Sequence, residues 1–455
     1  MSQNRQSKRG VVIAAPSSGS GKTVVTLGLI RHLAARGFSV ASAKAGPDYI
    51  DPAFHAAAGG GQCLNLDPWA MRPETLAGLA AAAAGDAEIT VLEGVMGLFD
   101  GAFVKPEEKD GSTADLAQLT GWPVVLVIDV RAQAGSAAAV LRGFADFRDD
   151  VDVAGVIFNR VGGQRHEEIL RRACEQSSPG IPVLGSLPRA EGLSLPERHL
   201  GLVQAVEHTD LAGFIENAST LIAEHVDVDA LLALARPLAL GGSGAEGPRL
   251  EPPLEPLGQR IAVARDEAFA FSYASVTLGW RQAGAEVREF SPLKDEAPDA
   301  DADAVYLPGG YPELHAGRLA AAGNFIAGLR AAADRGAQVF GECGGYMVLG
   351  RGLVDAEGNR HAMAGLLGLE TSFAEAKLHL GYRRLKTVCE GPLGARGTAF
   401  RGHEFHYAKV IGEDGATPLF EAEDAEGNDL GAVGLAGGLS GGRVAGSFIH
   451  LIDRE

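Results

Sequence analysis

The sequence predicts a two-domain α/β protein whose N-terminal half is a doubly wound, mostly parallel sheet. Its 455 residues exceed what one hydrophobic core ordinarily holds. Short apolar runs rich in β-branched residues alternate with helical patterns in both halves, as expected for strands buried in a parallel sheet. Residues 237–258 are rich in Gly and Pro and lack a periodic apolar pattern. They are predicted to link an N-terminal domain at 8–236 to a C-terminal domain at 259–455.

Apolar runs predict the strands of both domains. Those of the N-terminal domain are 11–15, 38–45, 88–94, 124–130, 153–160 and 181–187. Those of the C-terminal domain are 260–266, 286–290, 304–310, 337–345 and 443–451. Because helical stretches lie between most of them, the loops after the strands are predicted to meet at the carboxyl edge of each sheet, where α/β folds bind ligands.

Composition and charge exclude several classes of protein. The formal net charge of −18 gives no sign of the basic face that a nucleic-acid-binding protein needs. No apolar run reaches the roughly 18 residues of a membrane span. The polar N-terminus shows no signal-peptide pattern, and the four Cys are scattered without a CxxC pair. We therefore expect a cytoplasmic protein that binds neither nucleic acid nor membrane.

The segment APSSGSGKT (15–23) follows a strand and opens a helix, which is the context of a phosphate-binding loop. Its glycines let the backbone N–H groups turn inward, Lys22 offers a charge to the β- and γ-phosphates, and Thr23 offers a hydroxyl to Mg²⁺. The spacing departs from GxxxxGK[ST], since Pro16 stands where the first Gly is usual. The residues predicted to bind ATP here are Ser18, Gly19, Ser20, Gly21, Lys22 and Thr23.

Acidic residues follow the second and third predicted strands, in KAGPDYIDP (44–52) and LEGVMGLFDG (92–101). Mg²⁺ on a nucleotide prefers hard oxygen ligands. Asp48 and Glu93 are predicted to supply them, and Asp51 and Asp100 follow closely. Asp is also a turn former, so a turn-capping role is the alternative. Asn159, after the fifth strand, is either a contact to the adenine edge or a turn residue.

The segment FGECGGYMVLG (340–350) predicts a nucleophile elbow, in which a strand ends, the chain turns sharply at Cys343 and a helix begins. A helix N-terminus lowers a thiol pKa from about 8.5 toward neutrality. His450, in GSFIHL, is the predicted base partner, and the backbone of Gly309 and Gly310 is the predicted oxyanion hole. The alternative is a buried apolar Cys, but the flanking glycines disfavour it.

Two further segments carry chemistry-bearing residues. RGHEFHYA (401–408) holds two His at i and i+3 in a predicted strand, where they do not share a face. A substrate-contacting or structural strand is therefore favoured over a metal site. DEAFAFSY (266–273) carries alternating aromatic residues, and core packing is their predicted role.

Taken in order, the motifs resemble those of the a,c-diamide synthases of corrin biosynthesis, which amidate cobyrinic or hydrogenobyrinic acid. The resemblance covers nearly the whole length. It rests on APSSGSGKT, KAGPDYIDP, LEGVMGLFDG, LPGGYPELH, GECGGYMVLG, RGHEFHYA and GSFIH. It implies a P-loop ATPase domain of the dethiobiotin-synthetase type, followed by a class I glutamine amidotransferase domain.

The resemblance also implies a mechanism. Cys343, activated by His450, releases ammonia from L-glutamine, while MgATP phosphorylates a substrate carboxylate that ammonia then converts to an amide. The corrinoid polycarboxylate is amidated on its a and c acetates. The Ala-, Gly- and Arg-rich composition slightly favours hydrogenobyrinic acid over cobyrinic acid, and nickel sirohydrochlorin is an alternative. Candidate substrate contacts by position are Tyr49, Ile50 and Asp100.

Three points stay open at the level of sequence. Class I amidotransferases usually carry Glu two residues after the catalytic His, but this chain has Ile452 there and an acid only at Asp453. The third member of the triad is therefore either Asp453 or absent. A homodimer is left open. A non-enzymatic P-loop ATPase switch is the alternative of a different class, and the intact elbow at Cys343 disfavours it.

Overall fold

The computed structural model describes residues 8–105, 108–190, 193, 203–240, 250–414, 417–437 and 443–455. The chain divides into two compact units. The first comprises Met1–Trp69, Leu76–Gly101 and Glu107–Leu250, and the second comprises Ala70–Thr75, Ala102–Pro106 and Glu251–Glu455. Residues 241–249 of the predicted linker lie outside the described residues, and residue 237 belongs to a short strand instead.

The N-terminal half alternates strands and helices. Its strands are β1 (Arg9–Ala14), β2 (Val40–Ala45), β3 (Leu64–Leu66), β4 (Ile89–Glu93), β5 (Val124–Asp129), β6 (Val153–Val161), β7 (Val183–Pro188) and β8 (Arg236–Pro237). Its helices are α1 (Lys22–Ala35), α2 (Asp51–Gly59), α3 (Pro73–Ala84), α4 (Thr113–Thr120), α5 (Ser136–Asp146), α6 (Gln164–Ser177), α7 (Leu211–His225) and α8 (Val228–Leu234), with a 3₁₀ turn at Ala205–Glu207.

The sheet of the first unit has the order β3-β2-β4-β1-β5-β6-β7. These strands all run parallel, and β8 pairs antiparallel with β1. The six predicted strands are confirmed, whereas β3 and β8 were not predicted because they span only three and two residues. The loops after β1, β2, β4 and β6 meet at one edge, which places the phosphate loop beside the predicted acidic segments.

The second unit is built on a larger mixed sheet. Its strands are β9 (Arg260–Ala264), β10 (Glu286–Phe290), β11 (Ala304–Leu307), β12 (Gln338–Glu342), β13 (Gly352–Val354), β14 (Arg360–Ala362), β15 (Leu369–Ser372), β16 (His379–Thr387), β17 (Ala399–His406), β18 (Lys409–Glu413), β19 (Thr417–Glu423), β20 (Asp429–Gly437), β21 (Val444–Ser447) and β22 (Ile449–Arg454). Its helices are α9 (Ala274–Gln282), α10 (Ala316–Ala321), α11 (Gly323–Asp334) and α12 (Gly344–Leu349), with 3₁₀ turns at Pro292–Lys294 and Pro312–His315.

The main sheet of this unit has the order β10-β9-β11-β12-β21-β20-β19-β16-β17-β22. Strands β9 to β12 and β21 are parallel, and the remaining pairings are antiparallel. The prediction of one strand at 443–451 was wrong. The chain breaks at Phe448, so that β21 extends the parallel part beside β12 while β22 pairs with β17.

The core of the second unit surrounds the parallel strands. Phe269 and Phe325 lie within it, and Phe271 and Tyr273 of the predicted aromatic segment are also buried, with relative exposures of 2% each. That segment therefore packs in the interior, as predicted. Among the residues that the structure describes, no helix combines the length and the apolar character needed to cross a bilayer.

Candidate active sites

The phosphate loop of the first unit is held in its curled form by its own glycines and by strand β6. Gly19 and Gly21 adopt left-handed backbone angles, with φ of 77° and 93°. The amide of Asn159 donates to the carbonyl of Ser20 at 2.9 Å, and the guanidinium of Arg160 donates to the carbonyl of Gly19 at 2.9 Å. Asn159 thus braces the loop, and its contact with the adenine edge stays a prediction.

Lys22 and Thr23, at the start of α1, point to the loop after β4. The ammonium of Lys22 donates to the carbonyl of Met96 at 2.7 Å. The Thr23 hydroxyl donates to Oε1 of Glu93 at 2.7 Å. Burial lowers the pKa of Lys22. The carbonyl is neutral and does not balance the ammonium charge, so this cation can still pair with a phosphate.

A second lysine, Lys44 at the end of β2, lies among three carboxylates. Its ammonium is 3.1 Å from Glu93, 2.5 Å from Asp51 and 3.6 Å from Asp48. Burial opposes its charge, but Asp51, Glu93 and Asp48 outweigh burial and raise the pKa of Lys44 well above its usual value. Lys44 was not assigned a role from sequence, although a charged residue inside a buried strand signals one.

The pKa values of Asp51 and Glu93 shift in opposite directions in this cluster. Burial and the neighbouring Asp48 raise the pKa of Asp51 to about 7, against the opposing effect of Lys44. Burial alone would raise the pKa of Glu93, but Lys44 and His55 hold it below the usual range. Asp48 also closes the turn before α2, because its Oδ1 accepts from the backbone N–H of Ile50 and Asp51 at 2.8 and 3.0 Å. The metal-ligand and turn-capping interpretations of Asp48 are therefore compatible.

These groups surround a cavity of about 430 Å³. Among the predicted residues, its lining includes Ser18, Gly19, Gly21, Lys22, Thr23, Asp48, Ile50, Glu93 and Asn159. Ser20, Tyr49 and Asp100 are not part of the lining, and Asp100 instead accepts from the backbone N–H of Gly97 at 2.9 Å. The hydroxyl and carboxylate oxygens of Thr23, Glu93 and Asp48 are the donors that Mg²⁺ prefers, so this chain fits that ion.

The elbow of the second unit places Cys343 on a strained turn between β12 and α12. Its φ of 47° and ψ of −107° are unusual for a residue with a side chain, and such strain marks functional sites. Glycines are required on both sides because backbones approach closely. A Cβ on Gly344 would lie 2.9 Å from the backbone nitrogen of Gly310, and a Cβ on Gly341 would lie 2.8 Å from the backbone of Gly345.

His450 faces Cys343 across Gly309. The position that a Cβ would take on Gly309 is 3.0 Å from His450 Nε2 and 3.1 Å from Cys343 Cβ. A side chain at Gly309 would therefore separate the two groups. Burial, together with His403 and His406, lowers the pKa of His450 to about 3. The resting imidazole is thus neutral.

Of the two predicted oxyanion donors, only one reaches the thiol. The N–H of Gly309 donates to the carbonyl of Phe271 at 3.1 Å, in a bridge between the two segments. The N–H groups that interact with the Cys343 sulfur are those of Gly344 and Gly310. The sequence prediction of Gly309 as a donor therefore does not fit, and Gly344, at the start of α12, takes that place.

The lowered thiol pKa predicted from the helix terminus was also wrong for the resting site. Burial, reinforced by the charge of Glu313, raises the pKa of Cys343 to about 12. Helix α12 has only six residues, and its N–H groups do not offset the loss of solvent. The cavity in front of the thiol, about 10 Å³, has room for about one water molecule. The Cys343 thiol is therefore buried and protonated in the resting site.

Glu342 is the acidic group beside His450. Its Oε2 lies 4.0 Å from His450 Nδ1 and accepts from the Tyr306 hydroxyl at 2.7 Å. Its Oε1 accepts from the backbone N–H of Leu451 at 3.0 Å. Burial raises the pKa of Glu342 to about 7. Sequence reasoning missed this residue, although an acid in an otherwise apolar strand just before the nucleophile was a usable signal.

Asp453, the acid considered from sequence, has a different partner. Its carboxylate accepts from the backbone N–H and the guanidinium Nη2 of Arg72, at 2.8 and 2.9 Å. Arg72 belongs to the segment Ala70–Thr75 of the same unit. Because Asp453 is committed to this ion pair, Glu342 is the better candidate for the third member of the triad.

On strand β17, His403 and His406 contact different neighbours, because successive residues of a strand face opposite sides of the sheet. His403 packs edge-on against Tyr382, while His406 stacks between His379 and Phe448. Glu404 accepts from His406 at 3.1 Å and pairs with Arg383 at 2.6 Å. His379, Glu404 and His406 have the donor types of a metal site. The parallel rings and the Arg383 partner of Glu404 instead favour a structural strand.

Two family models match the chain. The CobQ/CobB/MinD/ParA nucleotide binding domain matches residues 11–203. The CobB/CobQ-like glutamine amidotransferase domain matches residues 260–455. The first match includes the phosphate loop and the Lys44 cluster, and the second includes Cys343 and His450.

Curated relatives match over nearly the full length. A hydrogenobyrinate a,c-diamide synthase from Brucella anthropi is 56% identical over 447 residues, covering 98% of each chain. The enzyme of the same name from Rhizobium meliloti is 56% identical over 98% of this chain and 99% of its own. That from Mesorhizobium japonicum is 50% identical over the same shares. Among solved structures, PurLQS from Thermotoga maritima matches 42% of this chain and 86% of its own, with 20% identity and a TM-score of 0.30.

Proposed function

The chain belongs to the family of the hydrogenobyrinate a,c-diamide synthases, and on that premise we propose that it uses ATP and glutamine to amidate the a and c acetates of hydrogenobyrinic acid. It is a glutamine-hydrolysing ligase with a nucleotide-binding domain and a glutamine amidotransferase domain. The observation that carries the proposal is the strained elbow that holds Cys343 opposite His450. The alternative from sequence, a nucleotide-dependent switch, would not require a nucleophile on a strained turn.

The second unit supplies ammonia. His450 takes the thiol proton, and the Cys343 sulfur attacks the side-chain amide carbon of glutamine to form a C–S bond. The N–H groups of Gly310 and Gly344 stabilise the oxyanion. The C–N bond then breaks, the proton on His450 leaves with ammonia, and water hydrolyses the thioester to glutamate. Glu342 stabilises the imidazolium during both transfers.

The first unit activates the carboxylate. The γ-phosphoryl group of ATP passes to an acetate oxygen of the substrate, which gives an acyl phosphate and ADP. Ammonia attacks the acyl carbon, the C–O bond to phosphate breaks, and an amide remains. Lys22 stabilises the charge on the transferred phosphoryl group. Thr23, Glu93 and Asp48 would hold Mg²⁺, which would neutralise phosphate charge when bound.

The substrate is tested by mass spectrometry. Purified protein receives MgATP and glutamine with hydrogenobyrinic acid, cobyrinic acid or nickel sirohydrochlorin in separate reactions. We expect two amidations of hydrogenobyrinic acid, each with one ATP hydrolysed. Faster amidation of cobyrinic acid or nickel sirohydrochlorin would contradict the proposed substrate. Glutamine hydrolysis without any amidated product would contradict the corrinoid assignment.

The pH dependence of glutamine hydrolysis tests the role of Glu342. Its carboxyl group has a pKa of about 7, so it loses its negative charge as the pH falls below that value. We expect kcat to fall with it, because the imidazolium of His450 then lacks its anion. Glu342→Gln should remove this inflection and lower kcat roughly 10²-fold. The measurement is the rate of glutamate release between pH 5.5 and 9.

Asp453→Asn is the matched control for this experiment. It changes the other nearby acid, which pairs with Arg72, and should cost stability without moving the inflection. If Asp453→Asn removed the inflection and Glu342→Gln kept it, the assignment of Glu342 would be wrong.

A further inference from the structure

His55, on helix α2, is buried beside the nucleotide site. Its side chain is 0% exposed, and its Nε2 lies 2.7 Å from Oε2 of Glu93, which is also 0% exposed. A carboxylate can only accept hydrogen bonds, so Nε2 carries the proton and donates. The bond is therefore a fixed contact between two groups that solvent does not reach.

The two oxygens of Glu93 have separate partners. Oε1 accepts from the Thr23 hydroxyl at 2.7 Å and faces the Lys44 ammonium at 3.1 Å. Oε2 is bound by His55. Because the hydrogen bond from His55 fixes Oε2, rotation of the carboxylate is restricted. Oε1 therefore stays directed at the Thr23 hydroxyl in the first turn of α1.

The second ring nitrogen of His55, Nδ1, also has a buried partner. The sulfur of Cys63, a buried residue just before β3, lies 3.5 Å from Nδ1 of His55. This sulfur is within hydrogen-bonding distance of Nδ1, so both ring nitrogens of His55 have a buried partner and Nε2 is left to donate to Glu93.

We propose that His55 is a positioning residue for the divalent cation that accompanies the nucleotide, because it fixes the orientation of the Glu93 carboxylate. This inference rests on the proposed function, in which Thr23 and Glu93 contact Mg²⁺. Partners that orient a metal ligand typically change metal affinity by roughly 10- to 100-fold when they are removed. His55 does not touch nucleotide or substrate and acts only through Glu93.

A pair of amide substitutions separates the hydrogen bond from the packing. In His55→Gln the side-chain amide can reach the place of Nε2, whereas in His55→Asn it reaches only the place of Nδ1. Each variant is saturated with an ATP analogue, and Mg²⁺ binding is followed by titration calorimetry. We expect His55→Asn to weaken Mg²⁺ binding at least roughly tenfold, and His55→Gln to weaken it clearly less. Nucleotide binding without Mg²⁺ should be the same in both.

Ala58→Gly is the control for packing. It lies on the same helix, is 2% exposed and weakens the helix without touching Glu93. It should lower the unfolding temperature and leave Mg²⁺ binding unchanged. Equal Mg²⁺ binding in all three variants, or equal losses in all three, would overturn the proposal.

A measurement on the unmutated protein decides the question if His55→Asn does not fold. In protein carrying ¹⁵N-labelled histidine, the His55 ring signal is assigned by its absence in His55→Gln. We expect an Nε2–H signal that shifts when Mg²⁺ is added to the nucleotide complex. No shift would overturn the proposal. These titrations contain neither glutamine nor corrinoid, so failure of the amidation assay and failure of this inference are distinguishable.

Discussion

Replacing Cys343 with alanine is expected to abolish glutamine hydrolysis while leaving amidation from added ammonia. The substitution removes the sulfur that forms the thioester, and no other group can take its place, so the loss should be at least roughly 10³-fold. In the proposed mechanism, the synthetase reaction consumes ammonia whatever its source. The assay compares amidated product formed with glutamine and with ammonium chloride at pH 8.5, where more of the ammonia is unprotonated.

Cys174→Ala is a matched control for this experiment. Cys174 is another buried cysteine, 1% exposed, but it lies on α6 of the first unit. It should keep both activities. Glutamine hydrolysis by Cys343→Ala above about 1% of the unmutated rate would contradict the assignment of the nucleophile. Loss of the ammonia-dependent reaction together with the glutamine-dependent one would contradict the division of labour between the two units.

Both main motifs could be predicted because close backbone approach leaves a local trace in the sequence. The phosphate loop needs residues at positive φ, and Gly19 and Gly21 supply them. The elbow needs glycines on either side of Cys343, where any Cβ would meet backbone atoms. The order of strand, turn and helix can be read from adjacent residues. For these features, a single sequence contains the physical constraint.

The partners of the functional groups could not be predicted in the same way, because they are distant along the chain. Lys44 and His55 reach Glu93 from 49 and 38 residues away. Glu342 reaches the segment of His450 from 109 residues before Leu451. Only the topology of the sheets brings these groups together.

Two sequence predictions were wrong because burial and strand pairing depend on residues that are distant along the chain. The helix terminus next to Cys343 suggested a thiol of low pKa, but enclosure of the whole site dominates and raises it. The segment 443–451 was predicted to be one strand from its apolar residues on both sides of Gly446 and Ser447. The break at Phe448 is set by the pairing of β21 and β22 with different neighbours. Both errors come from tertiary context, which overrides the local signal.

Replacing Lys44 with methionine is expected to destabilise the first unit more than any surface substitution. The ammonium is 3% exposed and is the cation that faces Asp48, Asp51 and Glu93. Methionine fills a similar volume but leaves these carboxylates repelling one another, which should cost about 3–5 kcal/mol of unfolding free energy. The measurement is urea unfolding at pH 8, with the transition of the first unit followed separately from that of the second.

The loss of unfolding free energy in Lys44→Met should become smaller as the pH is lowered. Asp51 already has a raised pKa of about 7 in the folded protein, well above its ordinary value. A carboxyl whose folded pKa is raised favours the folded state at low pH and loses that contribution as the pH rises through the folded pKa. Without Lys44 the carboxylates will take up protons more readily still. We therefore expect the unfolding free energies of Lys44→Met and the unmutated protein to differ less at pH 5.5 than at pH 8.

Lys22→Met is the matched control, because the same substitution is made at a lysine whose ammonium contacts a carbonyl rather than a carboxylate. It should cost no more than about 1 kcal/mol, the usual net value of one hydrogen bond. The stabilisation that MgATP gives to the unmutated protein should nevertheless disappear, because the phosphates lose their cation. If Lys22→Met were as unstable as Lys44→Met, or if the Lys44→Met deficit did not change with pH, the carboxylate cluster would not be the source of the instability. The two lysines line the same cavity, yet the charges around them differ, so we expect Lys44 to act mainly on stability and Lys22 mainly on MgATP binding.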